Sequence, residues 1–166
     1  MTALGALPGV HAGGGRANAG NTRRLSTRLR LVAFWLEAFM AVQLNHTIVH
    51  ARDRELSARF MTEILGLPAP RPFGPFLVVE VANGVSLDFI SADESELIIE
   101  HYAFLVSEPE FDEIFGRIRA RGLEYWADPQ GKRPQEINHH DGGRGVYFRD
   151  PAGHYLEVIT RPYGSG

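Results

Sequence analysis

Leu44-Asn45-His46-Thr47-Ile48-Val49 and His101-Tyr102-Ala103-Phe104-Leu105-Val106 are two apolar runs that each carry a histidine near the start, and they open two copies of one unit. An offset of 55 residues places His46 on His101, Glu55 on Glu110, Leu56 on Phe111 and Phe60 on Phe115. Recurrence of this kind marks a duplicated supersecondary unit. After the first run, Asp53 is placed to cap a helix. Leu56, Phe60 and Ile64 follow at i,i+4 spacing, and Gly66 is the stop. Phe76–Val81 and Val85–Ile90 read as strands, with Asn83-Gly84 as a tight hairpin turn between them. After the second run, Ser107 and Glu110 form a capping box. Phe111, Ile114, Phe115 and Ile118 make an apolar stripe, and Gly122 ends the helix. Strands are expected at Glu124–Ala127, Gly145–Arg149 and Tyr155–Thr160. Each copy is therefore strand–helix–strands, an α+β unit whose sheet cannot bury its own face alone. Two must combine.

The chain has 166 residues, 44% of them hydrophobic and 22% charged, which fits one globular domain with an additional segment. Modules are expected at about 44–91 and 101–161, within a domain spanning 40–166. Residues 1–39 hold five Arg and one acid, Glu37, and are rich in Gly, Ala and Asn. They read as a disordered or non-native extension, with Met40 as the natural first residue. Leu31–Val42 is too short an apolar run to span a bilayer. Of the net charge of −3, the extension contributes +4, so the rest of the chain carries −7. An acidic body argues against nucleic acid as a partner. With no cysteine there is no disulfide framework and no thiolate site, which suits a cytoplasmic location.

His46 and His101 coincide under the repeat, and each closing strand holds an acid between apolar neighbours: Leu87-Asp88-Phe89 and Leu156-Glu157-Val158. A carboxylate in mid-strand is costly to bury without a partner. If the two sheets face each other, two imidazoles and two carboxylates converge. Such a donor set suits Fe(II) or Mn(II), with Ni(II) or Zn(II) as alternatives. His46, His101 and Glu157 are the stronger ligand candidates, and Asp88 is the weaker one.

On these residues the chain resembles the vicinal oxygen chelate superfamily, which includes glyoxalase I, bleomycin-resistance proteins, fosfomycin-resistance transferases and type I extradiol dioxygenases. The resemblance covers Leu44 to about Arg161. It implies paired βαβββ modules forming a cupped mixed sheet around one metal, with His46, His101 and Glu157 as ligands. Asp88 falls where glyoxalase I has a fourth ligand. His140, Val146, Tyr147, Asp150, Pro151, Gly153 and Glu157 fit the spacing of the extradiol dioxygenase signature. In that family the positions of His140 and Tyr147 bind and protonate the substrate beside the metal. The resemblance thus implies a metal-dependent, ring-cleaving oxygenase acting on a small molecule. The alternatives are a glyoxalase I-like lyase or isomerase, or a metal-free drug-binding protein. A homodimer is expected, with the modules pairing either within a chain or between chains. Lys132 is the only lysine, so the cationic set of the fosfomycin transferases is not evident.

Overall fold

Strand–helix–three strands occurs twice in the computed structural model, which describes residues 42–166. The first module comprises β1 (His46–Ala51), α1 (Arg54–Leu65), β2 (Arg71–Phe73), β3 (Phe76–Glu80) and β4 (Ser86–Ser91). The second comprises β5 (His101–Leu105), α2 (Glu108–Ala120), β6 (Tyr125–Trp126), β7 (Gly145–Arg149) and β8 (Tyr155–Ile159). Each module makes its own four-stranded mixed sheet, in the orders β1-β4-β3-β2 and β5-β8-β7-β6. In both, the opening strand pairs in parallel with the closing strand, and the other pairings are antiparallel. This is the expected α+β fold. Leu44–Gly166 forms one compact unit, and the expectations for residues 1–39 lie outside the described residues.

Local chemistry fixes the helices. Asp53 accepts a hydrogen bond from the Leu56 amide and Gly66 closes α1 in the left-handed region. Ser107 and Glu110 form the reciprocal capping box of α2. The period on α1 differs from expectation at Leu56, which is 54% exposed. The buried face of α1 instead runs through Ser57, Ala58, Met61, Thr62 and Ile64, so small residues let the helix lie close to the sheet.

Three strand details also differ from expectation. β1 starts at His46, two residues late. Arg71–Phe73 adds an edge strand hidden in the sequence by Pro72, a residue that edge strands tolerate because no neighbour needs its missing N–H. The β3–β4 turn is closed by the Gly84 amide donating to the Val81 carbonyl at 3.1 Å, with Gly84 at φ 76°. Asn83 keeps a negative φ, so the two-residue turn with both centres left-handed does not form.

One core joins the modules. Val49, Met61, Ile64, Val79, Leu87 and Phe89 pack with Phe111, Ile114, Ile118, Val146, Phe148, Leu156 and Val158. Strand alternation then turns the intervening residues to the opposite face of each sheet. Among the described residues, no helix is long and apolar enough to cross a membrane.

Candidate metal centre

Leu156 and Val158 face the core, so Glu157 between them points to the other face of the second sheet. Register places Ala103, Glu157, Tyr147 and Trp126 in one row across β5, β8, β7 and β6. His101 lies two residues before Ala103 and shares that face. Its Nε2 is 3.1 Å from Glu157 Oε2, and its ring meets the Tyr147 ring edge-on, with centroids 5.9 Å apart. The other Glu157 oxygen, Oε1, accepts from the Tyr163 hydroxyl, and the Tyr163 and Tyr147 hydroxyls are 2.7 Å apart. Burial, followed by the Glu157 carboxylate, pushes the Tyr147 hydroxyl well above the ordinary phenol range.

Glu157 is only 1% exposed, yet no Lys or Arg pairs with it among the described residues. A buried carboxylate that meets one imidazole and no fixed cation is short of positive charge. A nitrogen and an oxygen donor at this separation suit a borderline divalent ion. The residues present therefore fit a metal.

The first sheet repeats the row with different side chains: Ile48, Asp88, Val78 and Arg71. His46 shares this face, and its Nδ1 lies 2.8 Å from Asn45 Oδ1. Asp88 accepts from the Ser86 hydroxyl at 2.8 Å. His46, Asp88, Arg71, Phe73 and Phe76 border a cavity of about 490 Å³. Within a single chain the two halves stay apart. Among the described residues, no three His, Asp or Glu side chains gather where they could share a metal ion. His101 and Glu157 meet on one sheet, and His46 and Asp88 lie on the other.

His139 and His140 sit exposed on the short turn before β7, and neither ring makes a hydrogen bond among the described residues. Asn138 anchors this turn, donating to the Ala127 carbonyl at 3.0 Å and accepting from the His140 amide at 3.4 Å. Tyr163 is the participant that the sequence reading missed. It follows the last strand and has no counterpart in the repeat, so its only signal is an aromatic residue between Pro162 and Gly164.

Residues 43–158 match the Glyoxalase/Bleomycin resistance protein/Dioxygenase superfamily. The chain belongs to this superfamily. Among solved structures, it is similar to "Oxidase ChaP-H1", at 66% identity and a TM-score of 0.72, over 75% of this chain and 99% of that one. The glutathione transferase FosA of Serratia marcescens is 28% identical over 126 residues, covering 72% of this chain and 81% of that protein. A lactoylglutathione lyase from Agrobacterium tumefaciens, at 20% identity and a TM-score of 0.53, covers 75% of this chain and 95% of its own and shares the fold. Members of this superfamily include metal-dependent enzymes that act on small molecules.

Proposed function

We propose that this member of the superfamily is a divalent-metal-dependent oxygenase that cleaves the ring of a small catechol-like substrate. The observation that carries the reading is His101 and the buried Glu157 meeting 3.1 Å apart beside the Tyr147 ring. The 66% identity to a protein named an oxidase supports redox chemistry over the alternatives.

The metal is held by His101 and Glu157 of one chain and His46 of a second copy, in a homodimer. Three features support a site shared between chains. His46 belongs to a separate sheet within its own chain, Ile48 and Leu105 are 41% and 60% exposed on the two open faces, and His46 borders a cavity. A bound Fe(II) or Mn(II) supplies a Lewis acid with open coordination positions and a one-electron redox couple. This chain supplies the rest. Tyr147, kept protonated by burial, offers its oxygen as acceptor to a substrate hydroxyl. His140, on its exposed turn, takes and returns the substrate proton. Phe73 and Phe76 give an aromatic ring apolar surface to lie against.

A second reading rests on Asp88, which holds in the first sheet the register position of Glu157 in the second. A second carboxylate at the metal suits glyoxalase I-like isomerisation, with an acid acting as the base. The test is metal identification on protein purified without chelator, followed by oxygen uptake with catechols and turnover of the methylglyoxal–glutathione adduct. Oxygen consumption with ring cleavage is expected. Adduct turnover without oxygen uptake selects the isomerase, and a protein that takes up no divalent ion is instead a sequestering one.

A further inference from the structure

Tyr163 stands outside the duplicated modules, yet its hydroxyl reaches the Glu157 carboxylate. Its backbone is pinned on both sides. The Gly164 amide donates to Asp141 Oδ2 at 3.2 Å. At the other end, Thr160 and Arg161 press so closely on Gly143 that a Cβ there would lie 2.9 Å from Thr160 Oγ1. The segment after β8 is thus fastened to the turn that carries His140, and Tyr163 is delivered to a fixed place over the open face.

The direction of the hydrogen bonds follows from counting protons. A phenol has one proton and two acceptor positions. Tyr163 gives its proton to Glu157 Oε1, so the proton in the 2.7 Å contact with Tyr147 comes from Tyr147. The chain runs Tyr147 to Tyr163 to Glu157. With Oε1 occupied, Oε2 is the oxygen left facing His101 Nε2.

We propose that Tyr163 is a positioning residue of the metal centre, holding Glu157 Oε1 so that Oε2 alone is presented beside His101 as the metal donor. The role rests on the metal-site reading given above. Residues that orient a metal ligand in this way typically contribute 10–100-fold to metal affinity.

The test compares wild type with Tyr163→Phe, which keeps the ring and removes the hydroxyl. Mn(II) and Zn(II) affinity is measured by competition with a chromophoric chelator, and thermal unfolding is measured on the metal-free proteins. The expected result is roughly 10–100-fold weaker metal binding by Tyr163→Phe with an unchanged melting temperature. Equal affinity overturns the positioning role and leaves the metal site standing. Weaker binding accompanied by a lower metal-free melting temperature also overturns it, since the hydroxyl would then support the fold in general. A wild-type protein that binds neither ion removes the metal site and the role of Tyr163 together.

Discussion

Val78 in the first sheet occupies the register position that Tyr147 holds in the second: Val78 pairs with Asp88 as Tyr147 pairs with Glu157. Duplication has kept the backbone and changed the chemistry. Beside Glu157 stand a phenol, an imidazole and Tyr163, whereas Asp88 has an aliphatic neighbour and the Ser86 hydroxyl. The two acids are therefore unequal, although the repeat treats them alike.

This inequality gives a first prediction. Glu157→Gln removes a buried charged donor and is expected to weaken divalent-metal binding by roughly a hundredfold or more, beyond the 10–100-fold typical of supporting residues. Asp88→Asn, at a partly exposed site already bonded to Ser86, is expected to cost about tenfold at most. Calorimetric titration of both variants reads the difference. Equal losses would make Asp88 a full ligand and favour the isomerase.

A shared site makes a second prediction through symmetry. His46→Ala and Glu157→Ala each destroy both sites of a homodimer. A mixed dimer of the two variants regains one complete site, because each chain supplies what the other lacks. Unfolding the variants together and refolding them is expected to restore about one quarter of wild-type metal capacity, since half the dimers are mixed and each has one good site. If refolding restores no capacity, the modules do not pair between chains.

The sequence made the fold legible because its strongest signals were local. The capping box at Ser107, the stop at Gly66 and the coincident histidines all survive in the structure. What was not legible depended on packing. Pro72 disguised an edge strand, since a missing N–H is harmless only where no neighbour needs it, and a sequence does not say where that is. Leu56 fits a helical stripe but faces solvent, because the helix approaches its sheet through Ser57 and Ala58. At the site, the repeat singled out His101 and Glu157, but their meeting on one sheet, apart from His46 and Asp88, was set by a strand register that the sequence does not show. Tyr163 was not legible either, because no periodicity tells where a segment beyond the last strand folds back.

A third prediction concerns acid. Arg144 reaches across from the turn before β7 to α2, donating to Glu108 and Asp112 at 2.6 Å each while its guanidinium lies 4.5 Å from the centre of the Phe111 ring. A hydrogen bond from Thr160 and then Arg144 hold the Glu108 carboxyl below its usual range, and Arg144 does the same for Asp112. Both acids titrate lower in the folded protein than in the unfolded one. Their contribution is therefore complete above the ordinary carboxylate range and is lost as pH falls through the folded values. Arg144→Met is expected to lower the melting temperature at pH 7, and the gap to wild type should narrow as the pH falls below the ordinary carboxylate range. A gap that stays constant over that range would show that Arg144 acts by packing alone.

The last prediction concerns the join between modules. His154 is fully buried, and its two ring nitrogens bond to different parts of the chain. Nδ1 accepts the Glu100 amide proton at 3.1 Å, which puts the ring proton on Nε2, donated to the His50 carbonyl 2.8 Å away on β1. Its ring also meets Tyr102 edge-on, at a centroid distance of 5.8 Å. One imidazole thus ties the first strand of the first module to the approach to the second. His154→Leu keeps approximate volume but leaves an amide and a carbonyl without partners, each costing about 1–3 kcal/mol. Urea unfolding of the metal-free protein is expected to show a loss of roughly 2–4 kcal/mol, with metal affinity per folded molecule little changed because His154 touches neither His101 nor Glu157 through a hydrogen bond. A loss below about 0.5 kcal/mol, the range of ordinary surface substitutions, would mean that the shared apolar core joins the modules without this histidine.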